Sequence, residues 1–283
     1  KRNTRISIAY DSRRNRASIK DPNYGTMSYK NDALGNIKKI VNVQYVVDFE
    51  YDILGRMMLR KEHNLRDNKK RMVRWEYSCD YGYDGMVSRI YSTGGHQVDY
   101  IYDDKLRVKS VIEQIVGKMY KTDYSYDEAN RVSKISYPSG FDVLKKYSNS
   151  GYEKAICDAE TQMVLWKTNK TNSNGNVTEY QLGNGLKTYY TYNPYNCMIE
   201  NIVTTKGDEV LQNLDYKYDG MCNLTRRCDM KDYNCEEFEY DSYNRLTKML
   251  LNGTQNGKMT YYDNGNICDK EKNGVKVLYN TMY

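Results

Sequence analysis

The dipeptide Tyr-Asp starts at Tyr10, Tyr51, Tyr83, Tyr102, Tyr126, Tyr218, Tyr240 and Tyr262. Random placement of the chain's tyrosines and aspartates would give about two or three such pairs, so the chain is a repeat array before it is anything else. Tyr or Phe stands two positions before the pair at six of the eight sites. Degenerate copies fill the gaps: "YKNDALGNI" (29–37), "YSNSGYEKAI" (147–156), "KTNSNGNV" (170–177) and "YTYNPYNCM" (190–198). Together they make about twelve units, most of them 19 to 26 residues apart. The one long gap, between Tyr51 and Tyr83, holds a polar stretch that reads as a lengthened hairpin loop over 59–76.

One unit, "FEYDILGRMML" (49–59), shows the local physics. Phe49 and Tyr51 are two positions apart and so share one face of a β-strand. Asp52 leaves the strand, where its carboxylate accepts a backbone N–H two residues on and starts a turn. Gly55 supplies the positive φ such a turn needs. Arg56 and Met57 open the returning strand. The same reading places Tyr83–Asp84, Tyr102–Asp103, Tyr126–Asp127, Tyr218–Asp219, Tyr240–Asp241 and Tyr262–Asp263 at the strand-to-turn position. It places Arg131 and Arg245 at the start of the return, and Gly265 at the positive φ. A second turn, often marked by glycine as at Gly94, Gly117, Gly207 and Gly253, completes each hairpin unit. The expected fold is all-β, with tandem antiparallel β-hairpins running through 1–283 as a single array.

Composition agrees with an extended β-structure. The mean hydropathy of −0.88 would suit a disordered chain, but 13% of the residues are aromatic, 31 of them Tyr against 3 Phe. Disordered chains are poor in aromatics, and tyrosine's ring and hydroxyl suit half-wet surfaces. The net charge of +6 is well mixed along the sequence. Basic clusters at Arg13, Arg14 and Arg16 and at Lys69, Lys70 and Arg71 read as solvated faces or hairpin tips, with no nucleic-acid-binding motif beside them. Seven scattered cysteines read as free thiols of a chain folded under reducing conditions. The gaps between Cys222, Cys228 and Cys235 do not match a zinc knuckle. No apolar run approaches the ~18 residues of a membrane span. The chain begins inside a repeat, so a fragment of something longer is expected.

The sequence resembles the YD-repeat, or Rhs, family of bacterial type. The resemblance is carried by Tyr-Asp-x-x-Gly-Arg at 51–56, "NGLKTYYTYN" (184–193), "YKYDGMCNLTRRCD" (216–229) and "YYDNGNICDK" (261–270), and it covers essentially the whole chain. The resemblance implies that hairpins join edge to edge into a continuous curved sheet, part of a hollow spiral β-shell. In bacterial Rhs effectors and insecticidal Tc toxins such shells enclose a C-terminal toxin. About 24 strands at roughly 4.8 Å each make a ribbon about 115 Å long, one turn or less of a wide spiral.

Local sequence offers no catalytic constellation. His63 and His96 lack neighbours that would make a triad or a metal site. Gly-rich stretches lack the lysine of a phosphate loop. Asp21-Pro22 reads as a turn, although some Rhs proteins release their toxin at an Asp-Pro motif. The expectation is therefore a non-enzymatic shell segment of a polymorphic toxin, without cofactor or metal, which encapsulates a C-terminal cargo for interbacterial competition. Its expected partners are the remaining shell segments and the toxin, with secretion machinery or surface glycans besides. The expected location is secreted or cell-surface, after folding in the cytoplasm. The alternative is a wall-associated protein that binds carbohydrate or mediates adhesion.

Overall fold

The computed structural model describes residues 5–79, 82 and 84–279. The chain divides into two units, Lys1–Phe141 and Asp142–Met282. Among the described residues they hold 25 strands and no helix.

The first unit begins with β1 (Ser7–Tyr10), β2 (Arg16–Asp21), β3 (Gly25–Asn31), β4 (Ile37–Val41), β5 (Tyr45–Tyr51) and β6 (Met57–Asn64). It continues with β7 (Lys70–Tyr77), β8 (Val87–Ser92), β9 (Gln97–Tyr102), β10 (Val108–Ile115), β11 (Lys118–Tyr126) and β12 (Val132–Ser136). The second unit opens with β13 (Asp142–Tyr147), β14 (Glu153–Asp158), β15 (Val164–Thr171), β16 (Val177–Leu182), β17 (Leu186–Tyr192) and β18 (Ile199–Lys206). It ends with β19 (Glu209–Tyr218), β20 (Leu224–Asp229), β21 (Asn234–Tyr240), β22 (Leu246–Leu251), β23 (Thr254–Tyr261), β24 (Ile267–Lys272) and β25 (Val275–Leu278).

Within each unit every strand pairs antiparallel with the next in sequence, giving an uninterrupted meander. Among the described residues the strands of a unit touch only these neighbours, so no second layer of strands covers either face there. The consequence is a thin core. Val47 and Leu59, 3% and 2% exposed, are the buried apolar side chains of the first unit among the described residues, and Val143, Ala155, Cys157 and Cys228 those of the second. Most strand residues are half-buried, which is where tyrosine is at its most useful: its ring covers the sheet while its hydroxyl keeps a partner.

The stretch 59–76, expected as a lengthened loop, is instead mostly strand. β6 and β7 pair from Leu59↔Arg74 to His63↔Lys70 and leave only a short tip between them. Its charged residues sit at exposed or half-buried strand positions, where a strand carries them at little cost. Asp21-Pro22 does form a turn, with Asp21 Oδ1 accepting the N–H of Asn23 at 2.7 Å.

Candidate functional site: the repeat corner

The recurring feature is the corner at which each repeat turns. At Asp52 the backbone N–H donates to the Arg56 carbonyl at 3.0 Å, and the Gly55 N–H donates back to the Asp52 carbonyl at 3.0 Å. Gly55 has φ +78°. This is a type I turn closed by a residue in the left-handed region. The carboxylate organises it. Asp52 Oδ1 accepts the N–H groups of Leu54 and Arg56, both at 2.9 Å, and Oδ2 accepts from Arg56 Nε at 2.6 Å. Ile53, at the tip, is 96% exposed.

Among the described residues ten corners of this kind stand at Asp11, Asp32, Asp52, Asp103, Asp127, Ser148, Asn172, Asp219, Asp241 and Tyr262; longer corners begin at Ser78 and Asn193, and the same pair of bonds closes turns between corners at Ser92 and Tyr137. The strand residue before the corner is usually Tyr, and a one-residue register shift precedes it, as between Glu50 and Tyr51. Such bulges re-aim a side chain. Here the re-aimed tyrosine reaches the previous corner. Tyr51 Oη donates to the Ile37 carbonyl at 2.9 Å, Tyr77 to Met57 at 2.9 Å, Tyr102 to Val87 at 2.8 Å and Tyr126 to Val108 at 2.7 Å. In the second unit Tyr192, Tyr240 and Tyr261 do the same to Val177, Leu224 and Leu246. At the degenerate copy, Asn31 replaces tyrosine and its amide still donates to the Arg16 carbonyl at 3.0 Å.

The arginine of a corner binds in two directions. It holds its own aspartate and lies over the tyrosine of the following repeat. Arg56 sits 4.4 Å from the Tyr77 ring centroid, Arg107 4.3 Å from Tyr126 and Arg245 4.5 Å from Tyr261. Corners also touch directly, with Arg107 Nη1 donating to Asn130 Oδ1 at 2.6 Å and Asn223 Nδ2 to Asn244 Oδ1 at 2.9 Å.

Electrostatics follow from this geometry. The Arg107 guanidinium hydrogen bond, with the backbone N–H groups of Arg107 and Lys105, holds the Asp103 carboxyl below the usual range. Arg245 does the same to Asp241. At Asp127 the backbone N–H of Arg131 leads, followed by its side chain. At Asp52 desolvation pulls upward and the hydrogen bonds from Arg56 and Leu54 outweigh it. Burial raises the phenols of Tyr51, Tyr102, Tyr126 and Tyr240.

The structure brings together Tyr51, Asp52, Gly55 and Arg56, with Tyr102–Asp103, Tyr126–Asp127–Arg131, Tyr218–Asp219 and Tyr240–Asp241–Arg245, as corners of one design. Two sites of the expected frame are corrected. Tyr83 lies outside the described residues, and Asp84 is an exposed turn residue; the corner there begins at Ser78, whose N–H donates to the Met86 carbonyl at 2.8 Å, and Tyr77 is its tyrosine. With Ser78 as a corner the long gap in the repeat disappears. At 261–265 the stitching tyrosine is Tyr261, the corner residue is Tyr262, and Asp263 lies one position into the turn, while Gly265 does hold the positive φ at 86°. A tyrosine preceding a literal Tyr-Asp pair was the available signal.

A third correction concerns the thiols. Cys228 and Cys235 form a disulfide across β20 and β21, where they stand directly opposite with Cα atoms 4.1 Å apart. Hairpin register, not local spacing, brings them together. Cys79, Cys157, Cys197, Cys222 and Cys268 are free. Among the described residues no group of three or more His, Cys, Asp or Glu side chains could hold a metal. His63 meets Asn68 at 2.6 Å and His96 meets Glu113 at 2.7 Å.

The second unit adds an aromatic row. Trp166, Tyr180, Tyr190 and Tyr192 follow one another with centroids 6.3, 6.0 and 6.1 Å apart. Burial and the neighbouring Tyr180 push the Tyr190 phenol up to about 12.

Tandem antiparallel hairpins with stitched Tyr-Asp corners define an all-β repeat fold, the hairpin array that the sequence resemblance implied. Among solved structures the chain is similar to the crystal structure of TcdB2-TccC3-TEV, at 18% identity and TM-score 0.78 over 96% of this chain. It is likewise similar to TcdB2-TccC3 without the hypervariable C-terminal region, at 17% identity and TM-score 0.78 over 98% of this chain. TcdB2-TccC3-Cdc42 matches at 17% identity and TM-score 0.76 over 94% of it. The chain spans 16% of the length of each of these. Identities at this level show a shared fold. No family model matches the chain, and no curated protein does either.

Proposed function

We propose that the chain is a wall segment of a bacterial Rhs/YD-repeat toxin. In this reading it plays a structural rather than an enzymatic part, enclosing a C-terminal toxin cargo used in competition between bacteria. The observation that carries the reading is the likeness to TcdB2-TccC3 over 96% of this chain. The corner design supports it, because identical local joints let a sheet grow by nearest-neighbour contacts alone. The half-polar faces support it too, since a wall of phenols and threonines can face a cargo without a large sticky apolar patch. The partners are then the remaining wall segments and the cargo, and the protein is folded in the cytoplasm and afterwards exported or displayed.

The test is limited proteolysis of the full-length protein of which this chain is a segment. A downstream segment that survives protease while the repeats are folded, and is digested once they are unfolded, is the expected result. A downstream segment digested equally fast in both states refutes enclosure.

The aromatic row favours a second reading, carbohydrate binding at a surface. Beside Trp166 lies a cavity of about 710 Å³ walled by Tyr147 and Tyr152, with Asn149, Glu153 and Lys170 at its edge. Flat rings flanked by amide and carboxylate groups suit stacking on a sugar and hydrogen bonding to its hydroxyls. Glycan-array binding that disappears in Trp166→Ala and Tyr152→Ala would establish it, and an empty array would remove it.

A further inference from the structure

One face of the first unit carries a ladder of charge that the corner design does not use. Register puts Lys30 of β3, Lys39 of β4, Asp48 of β5 and Lys61 of β6 directly opposite one another in turn, so all four share a face. Glu50, two positions on from Asp48, joins them. Lys38 stands beside Lys39 as the extra residue of a bulge, since Lys30 faces Lys39 while Asn31 faces Ile37. Together these six side chains border an open depression of about 480 Å³. Lys70 and Arg74 continue the belt on β7, on either side of Met72, which faces Lys61. From β3 to β7 the belt spans about 19 Å, four strand spacings.

Its charges do not balance. Asp48 holds Lys39 at 3.2 Å, and Glu50 holds Lys61 at 3.0 Å. Lys30 and Lys38 are exposed and stand in no ion pair among the described residues. The Asp32 carboxylate that Lys38 acts on is already engaged in its own corner, where it accepts the N–H groups of Leu34 and Asn36 and the Asn36 amide. Lys30 faces Lys39 directly, an arrangement of like charges that costs stability. An anion laid beside the two would offset that cost.

We propose that this belt binds an acidic polysaccharide, a hydroxyl-rich chain with carboxylates spaced along it, running across the strands from β3 to β7. Its carboxylates meet Lys30 and Lys38 and, further along, Lys70 and Arg74. Its hydroxyls donate to the lone pairs that Asp48 and Glu50 keep free beside their lysines. Those two carboxylates select the occupant. A DNA duplex, with one charge per ~1.7 Å of axis, would press phosphates against them, whereas a sugar chain offers them donors. A single-stranded nucleic acid finds no stacking platform, because Tyr29, Tyr45 and Phe49 alternate to the opposite face. The belt lies wholly within the first unit. It depends neither on whether the repeats enclose a cargo nor on whether the aromatic cavity of the second unit takes a sugar.

The experiment is fluorescence anisotropy on the intact chain with end-labelled hexagalacturonate. Comparison probes are maltohexaose, polyphosphate and a short DNA duplex, labelled in the same way. Hexagalacturonate should bind, weaken as salt rises, and lose about tenfold or more in affinity in the Lys30→Glu, Lys38→Glu double variant. Maltohexaose, which has the hydroxyls without the charge, should not bind. Polyphosphate and the duplex, which have the charge without the sugar's hydroxyls along it, should bind more weakly than hexagalacturonate. Lys30→Glu sets opposite charges face to face at Lys39, and circular dichroism checks that the double variant keeps its strands. The charge-matched control is Lys105→Glu with Lys118→Glu, both exposed and outside the belt, and it should leave binding unchanged. Failure of hexagalacturonate to bind, polyphosphate or duplex binding as tightly, binding untouched by the double variant, or an equal loss in the control would each overturn the proposal.

Discussion

Replacing Tyr126 by Phe removes one hydroxyl and nothing else. Tyr126 Oη donates to the Val108 carbonyl at 2.7 Å, while the ring lies under Arg107 at 4.3 Å and is retained in phenylalanine. One hydrogen bond of this kind is worth about 0.5–1.5 kcal/mol net. Tyr126→Leu removes the ring as well, which forfeits about 0.5–1 kcal/mol of cation–π attraction together with the ring's cover over the sheet. The ordering expected is therefore Leu worse than Phe by about 1 kcal/mol or more. A double-mutant cycle sharpens it. Arg107→Ala combined with Tyr126→Leu should show coupling of about 0.5–1 kcal/mol, and combined with Tyr126→Phe close to none. Because repeat arrays unfold by nearest-neighbour segments, the assay is native-state hydrogen exchange read at single amides. The Asp103 and Leu106 N–H groups, which close the corner next to Val108, should lose protection, and the Gly55 N–H two corners away should not. A Tyr126→Phe cost under about 0.3 kcal/mol, or equal costs for Phe and Leu, would refute the view that tyrosine hydroxyls stitch successive corners.

Four further outcomes are expected. The corner aspartates are held below their ordinary value by arginine and backbone N–H groups, so their stabilisation is complete above about pH 4 and is lost as pH falls through their folded values; Asp103→Asn and Asp241→Asn should flatten the acid limb of a thermal-melt series. Tyr190 is pushed up to about 12, so its contribution is complete below the ordinary tyrosine value of about 10 and is lost as pH rises through the folded value; Tyr190→Phe should remove that part of the alkaline transition seen by tyrosinate absorbance. Leu106 occupies the left-handed position at φ 61°, where a side chain costs about 1–2 kcal/mol; Leu106→Gly should stabilise its corner by about 0.5–1 kcal/mol after the entropy of a freer unfolded chain is offset, measured by urea melts. Cys228→Ser should destabilise the β20–β21 hairpin by about 2.5 kcal/mol, the loop-closure value for so short a loop, and reduction of the wild-type chain should match it.

The literal Tyr-Asp string marks six of the twelve corners and its degenerate copies four more, because the information is local. Asp52 makes its turn with groups at 54 and 56, and Gly55 meets its own φ requirement, so five consecutive residues suffice. The same locality explains the misreadings. "YYDNG" and "YGYDG" each contain the string one step or more out of frame, and only the partner strand tells which tyrosine is the last in register: Tyr261 reaches Leu246, and Tyr77 reaches Met57. Ser78 makes a corner without a carboxylate, so composition could not flag it.

The sequence by itself determined that the chain is an antiparallel array, where most of its turns fall, and that tyrosine would dominate its faces, since each follows from interactions within a few residues. The tertiary structure decided what the tyrosines and arginines are for. A hydroxyl that meets a carbonyl 14 to 20 residues earlier, a guanidinium shared between one corner and the next, and a disulfide across a hairpin all depend on strand register. Register is set by the cumulative pairing and bulges of the whole sheet, and no short window of sequence contains it.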